Sequence, residues 1–202
     1  CIRDSGYAGG DRASQGEDAQ RRLAQRREAL YPWVDESTYI VMPDETFHAA
    51  LTFALGGISF QLKHLGPAHA PGDTIMLVEG YGVLFSGDVI YEGRVPFLDS
   101  PETDTGNWLK GLDALTALQP PPRYVIPGHG DASSDISAAV STTRNYIEYV
   151  RDAMQQAVDD FIPFDQAYEN TDWSAYQDMP AFGASNRGNA YRIYLELEAD
   201  SF

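Results

Sequence analysis

The sequence predicts a layered α/β domain, on three observations. Short apolar runs of strand length fill the stretch from about residue 38 to 86. Longer runs with helical spacing follow from residue 105, and Gly or Pro marks most of the junctions. Strands first, with helices packed over them, is the layout of a sheet that buries one face under a helical layer.

The elements follow in order. Arg12 to Leu30 reads as a polar, charged helix, stopped at Tyr31-Pro32 because a proline ring cannot continue the hydrogen-bond ladder. Its charges form a solvated face. Apolar runs at Tyr39 to Met42, Leu51 to Leu55, Ile58 to Leu62, Thr74 to Val78, Val83 to Ser86 and Tyr124 to Ile126 are expected strands. Gly56-Gly57 joins two of them as a tight hairpin, and Glu79 to Gly82 turns a second. Thr105 to Leu118 carries Trp108, Leu109, Leu112, Leu115 and Leu118 along one side of a helix that the run Pro120-Pro121-Pro122 ends. Ser134 or Asp135 caps a longer helix to about Phe161, with Val140, Ile147, Val150, Met154 and Val158 facing the core. A helical tail over about 135–202 is completed by a short segment near Asp165 to Glu169, an aromatic loop at Trp173 to Phe182 and a last helix from about Asn186 to Ala199.

Composition narrows the function. With 202 residues and 43% hydrophobic content, the chain is long enough to bury a real core as one domain. A net charge of −16 repels phosphate backbones and anionic lipid, so nucleic acid and membrane are poor partners. No run of about 18 apolar residues suggests a membrane span, and the first residues lack a signal-peptide pattern. The expectation is a soluble, acidic chain, with cytoplasm and periplasm both open. Cys1 is the single cysteine, which excludes an internal disulfide and a Cys-rich zinc module.

The residues that carry chemistry lie in three short loops. His69 stands in G-P-A-H-A-P-G-D, Asp88 in L-F-S-G-D after an apolar run, and His129 in V-I-P-G-H-G after another. Imidazole nitrogen and carboxylate oxygen suit zinc and other borderline divalent ions, held about 2 Å away in a fixed direction. Small residues and tight turns let backbone approach such an ion, and a carboxylate after an apolar strand is costly to bury without a partner. Together the three point to a metal site. A single histidine, by contrast, reads more simply as structural, as His64 does at a strand end; His48 also stands singly.

In that order the three motifs resemble the later metal-binding motifs of the metallo-β-lactamase-fold hydrolases, a superfamily that includes glyoxalase-II-type thioesterases, lactonases and β-lactamases. The resemblance covers roughly Pro43 to Tyr149. G-D-V-I-Y-E-G-R-V-P-F-L and N-R-G-N-A-Y-R-I-Y-L-E-L-E are closest to a branch of zinc metallohydrolases that includes the quinoprotein-associated ones. The resemblance implies an αββα-type layered sandwich. It also implies one or two zinc ions, with His69 on the first metal, Asp88 bridging both and His129 on the second. Asp73 is then a partner that holds the His69 loop, or simply a turn-stabilising carboxylate. Tyr91 and Arg94 either meet a substrate carboxylate or are a packed tyrosine and a surface arginine.

The family's opening motif, His-x-His-x-Asp-His, does not occur. Aligning Gly9-Gly10 with the glycines that often follow it puts the ligand positions on Ile2, Asp4, Gly6 and Tyr7, of which Asp4 alone is a donor. The fold is therefore expected to be incomplete at the N-terminus, through truncation or divergence, and to bind zinc weakly, because each ion keeps two ligands from this chain where a catalytic site usually has three. An unpaired sheet edge would favour a homo-oligomer. Three functions stay open: a zinc-dependent hydrolase acting on an ester, thioester, lactone or lactam carbonyl; an iron-dependent oxygenase of the persulfide dioxygenase kind; and a non-catalytic binding or assembly protein. No catalytic base is assignable.

Overall fold

The structure is a computed structural model that describes residues 17–39, 46–98 and 102–201. The chain divides into two compact units, residues 4–49 and residues 50–202 with 1–3. In the first unit, helix α1 runs Glu17–Ala29, and the Arg27 guanidinium donates to the Thr38 carbonyl at 2.7 Å. The expected helical residues 12–16 and most of the expected strand at Tyr39 to Met42 lie outside the described residues, as do Ile2, Asp4, Gly6 and Tyr7.

The second unit is built on a five-stranded sheet with the order β1-β2-β3-β4-β5: β1 Ala50–Leu55, β2 Ile58–His64, β3 Thr74–Val78, β4 Val83–Tyr91 and β5 Tyr124–His129. The first four strands form an antiparallel meander. Its two hairpins sit where the Gly-rich turns predict them, with Leu55 opposite Ile58 and Val78 opposite Val83. Helix α2, Thr105–Thr116, crosses over to β5, which pairs with β4 in parallel, as a strand return through a helix requires. Helices α3 (Ile136–Asp159), α4 (Phe164–Asn170) and α5 (Phe182–Asp200) complete the unit.

Sequence dictates which sheet face is covered, because successive strand side chains alternate. Ile75, Leu84 and Val125 are at most 3% exposed and join one core with Trp108, Leu112 and Leu115 of α2, Val140, Ile147, Val150 and Met154 of α3, and Ile193 of α5. The opposite face is also apolar. Two rows cross all five strands, Leu51-Leu62-Met76-Phe85-Ile126 and Phe53-Phe60-Val78-Val83-Tyr124. Phe53, Phe85 and Tyr124 remain exposed there.

Helices α2 and α3 each start at an aspartate cap, of which Asp135 is the one expected from the sequence. Asp104 Oδ1 accepts from the Asn107 amide at 2.7 Å to start α2, and Asp135 Oδ1 accepts from the Ser137 and Ala138 amides to start α3. Several boundaries differ, and β5 runs on past Ile126 to His129. β4 does not stop at Ser86 but continues through Asp88 to Tyr91, because a register irregularity lets it bend and resume pairing. α5 begins four residues before Asn186, at Phe182, behind Ala181 in the left-handed conformation. Among the described residues, no helix is long and apolar enough to cross a membrane.

Candidate metal centre

The irregularity in β4 is what aims Asp88. Gly87 pairs with Pro127 and Tyr91 with His129, so four residues of β4 advance against two of β5. The extra length throws Asp88 out of the ladder and over Gly128. A Cβ at Gly128 would lie 2.6 Å from the carbonyl carbon and oxygen of Gly87 and would overlap Asp88 Oδ1, so only glycine permits this approach. Gly130, at φ +97°, continues the turn where a Cβ would collide with the Glu92 carbonyl.

The Asp88 carboxylate faces two histidines with different oxygens. Oδ2 lies 4.0 Å from His69 Nδ1, and Oδ1 lies 3.7 Å from His129 Nε2. Both separations exceed a normal hydrogen bond. An ion about 2.1 Å from each donor spans up to about 4.2 Å between them, so both gaps have the dimension of a shared metal. The three residues present thus fit a divalent cation in donor type and spacing. They do not close a cage: among the described residues, no group of three His, Cys, Asp or Glu is arranged to hold one ion. The geometry is instead two His–Asp pairs joined through one carboxylate. Side-chain exposure rises from 13% at His69 to 39% at His129, so solvent approaches from the His129 side.

Each histidine is held from behind. His129 is the last residue of β5, and its carbonyl accepts from the Glu92 amide at 2.9 Å. His69 lies in the β2–β3 loop, which the start of α2 pins down. Thr103 Oγ1 donates to the His69 carbonyl at 2.8 Å, the Asp104 amide to the Ala68 carbonyl at 3.0 Å, and Asn107 Nδ2 to the carbonyls of Leu65 and Pro67. Asp73 Oδ2 accepts from the Ala70 amide at 2.9 Å, while the Asp73 carbonyl pairs with His64 Nδ1 at 2.8 Å. Burial pushes the Asp73 carboxyl above its ordinary range, and the Ala70 amide offsets part of that rise. Asp73 therefore stabilises its turn, and in doing so holds the His69 loop.

Tyr91 does not face solvent. It is 1% exposed, with its ring stacked on His129 at 4.9 Å and 20°. Arg94 lies in the loop after β4 with its guanidinium 5.1 Å from the Phe97 ring. Trp108 is fully buried, presents an edge contact to His69 at 5.9 Å and donates its indole N–H to the Val89 carbonyl beside Asp88 at 2.8 Å. Thr103, Asn107 and Trp108 escape a search for metal donors because none is one; the cluster T-D-T-G-N-W at the start of a helix is their only signal.

Comparison with known proteins agrees with this fold. A family model described as the metallo-beta-lactamase superfamily matches residues 6–129. A metallo-beta-lactamase type 2 of Bacteroides fragilis is 32% identical over 91 residues, which are 45% of this chain and 36% of that protein. The chain thus spans about a third of the length of the curated relative it matches. Among solved structures, a metallo-beta-lactamase family protein from Thermus thermophilus superposes with a TM-score of 0.58 at 18% identity, over 78% of this chain and 55% of that one. The stereoselective inverting sec-alkylsulfatase Pisa1 from Pseudomonas sp. gives 0.63 at 12% identity, over 78% and 27%. At such identities the two structures share the fold alone. Because the family model covers more than half of its length, and the sheet and helices take the same fold, the chain belongs to the metallo-beta-lactamase superfamily.

Proposed function

We propose that this chain carries the His69, Asp88 and His129 part of the metal centre of a zinc-dependent hydrolase. The observation that supports it best is the placement of Asp88, whose two carboxylate oxygens face different imidazoles at 4.0 and 3.7 Å. A bridging carboxylate needs that arrangement; a structural Asp–His pair would use one oxygen and one short hydrogen bond. When bound, zinc lowers the pKa of a coordinated water toward neutrality and polarises a carbonyl oxygen. The chain's own residues do the rest. Asp88 would supply negative charge between the two sites, His69 and His129 would supply imidazole nitrogen donors, and the wall of Trp108 and Tyr91 excludes water from behind them. The substrate is a small molecule with an ester, thioester, lactone or lactam carbonyl, approaching from the open His129 side. Two donors from this chain at each ion would leave the remaining coordination to groups beyond these three residues.

The test is zinc binding and turnover together. The chain is titrated with Zn2+ against a chromophoric chelator and then assayed on a thioester, a lactone and a β-lactam. Zinc uptake that Asp88→Asn lowers by about tenfold or more, with zinc-dependent turnover, supports the reading. A folded chain that takes up no zinc contradicts it and favours a binding or assembly role, the alternative suggested by the absence of a closed three-donor cage among the described residues.

A further inference from the structure

Among the described residues, Tyr91 is the aromatic side chain that borders both candidate histidines. Its ring stacks on His129 with centroids 4.9 Å apart and lies 6.2 Å from His69, tilted by 47°. It meets Trp108 at 6.4 Å and Phe97 at 6.5 Å, and the Trp108 ring in turn meets His69 edge-on. The main chain under this ring is fixed as well. The Tyr91 amide donates to Thr143 Oγ1 at 2.8 Å, and the same hydroxyl donates to the Tyr91 carbonyl at 3.1 Å, across 52 residues of sequence and in a fully buried setting. One threonine of α3 thus occupies both main-chain polar groups of this residue where β4 ends.

We propose that Tyr91 is a positioning residue that sets the orientation of His129 and the separation of the two imidazoles about Asp88, with Thr143 as its anchor. The proposal rests on the metal-centre reading above only where zinc is the readout. A face-stacked, buried ring limits rotation of the imidazole about its Cβ–Cγ bond, and because the same ring borders His69, moving it disturbs both His–Asp pairs together. A ring that merely filled volume would be replaceable by any side chain of similar size. A positioning ring is replaceable by Phe, which keeps the stack, and not by Leu, which removes it.

Two measurements test this on the full chain. In proton NMR of the metal-free protein, the His129 ring resonances are expected upfield of those of the exposed His48, through the ring current of Tyr91, with the shift kept in Tyr91→Phe and lost in Tyr91→Leu. In zinc titration, Tyr91→Phe is expected to bind within about threefold of wild type, and Tyr91→Leu about ten- to a hundredfold more weakly. Thr143→Val, which keeps the shape and removes both hydrogen bonds, serves if Tyr91→Leu does not fold; its expected result is a reduced upfield shift and weaker zinc binding. His129 resonances at ordinary positions in wild type, or Leu and Val variants with unchanged shifts and zinc affinity, overturn the proposal. If wild type takes up no zinc, the metal-centre reading fails alone, and the His129 shift in Thr143→Val, which keeps the aromatic ring, still decides whether the anchored Tyr91 positions His129.

Discussion

Asp88 owes its position to a residue that carries no chemistry. Gly128 leaves room for the carboxylate to lie across β5, and Gly130 lets the chain turn beside Glu92. Gly128→Ala is expected to displace either the carboxylate or the β4–β5 pairing, with a stability loss of about 1–3 kcal/mol and zinc affinity lower by about tenfold. Thermal melting and chelator competition check both figures, and an unchanged affinity would mean that Asp88 tolerates another position. The three candidate ligands were legible in the sequence because each sits among Gly and Pro beside an apolar run. Tyr91 was not. In D-V-I-Y it follows the Asp by three residues, and a reader who ends the strand at Ser86 places it in a loop, where a tyrosine faces solvent as readily as it packs.

At the scale of elements, the His69 loop depends on a helix at the far end of the sequence. The Glu196 carboxylate of α5 accepts from the Thr105 and Gly106 amides, the Thr105 hydroxyl and the Arg151 guanidinium, and so completes the N-terminus of α2. The same turn of α2 holds the loop through Thr103, Asp104 and Asn107. Glu196→Ala leaves several of these donors without an acceptor and is expected to cost about 2–3 kcal/mol, with the Gln variant recovering part of it, as measured by denaturant unfolding.

The helical layer has its own pH limit. Burial pushes the Tyr146 phenol above its ordinary value of 10.0, while the hydroxyl donates to Asn186 Oδ1 at 2.8 Å and accepts from Asn189 Nδ2 at 3.0 Å. Tyr149 and Tyr176, in contact with each other, are raised as well, each mainly by desolvation. The folded chain then keeps its protons where the unfolded chain releases them, so stability is fully present below pH about 10 and falls as pH rises through it. Melting temperatures between about pH 8 and 11 should show that decline, and Tyr146→Phe should make it shallower while lowering stability at pH 8 by about 1–2 kcal/mol. A flat profile in wild type would contradict the burial of this hydroxyl.

Over the whole molecule, alternation in the strands and spacing in the helices made the layering legible, since each run shows which period it follows. Order within the sheet was legible only in its hairpins; the parallel return of β5 beside β4 depends on how α2 packs, which no local pattern records. The two apolar rows on the second sheet face have the same character. The second face is apolar across all five strands, as expected of a sheet with a layer on each side, yet Phe53, Phe85 and Tyr124 are exposed. The chain is therefore expected to bind an environment-sensitive apolar dye in its native state, and Phe53→Lys with Phe85→Lys to reduce that signal without loss of secondary structure. Equal dye binding by the double variant would show that the signal arises elsewhere.

The central claim is that one carboxylate shares a cation, or two, with a pair of imidazoles from separate strands and loops. Anomalous diffraction at the zinc edge, on crystals of the zinc-loaded chain, tests it most directly. The account predicts a peak within about 2.2 Å of an Asp88 oxygen and of a ring nitrogen of His69 or His129. A strong peak elsewhere, with these three side chains bound to nothing but each other and water, would contradict it.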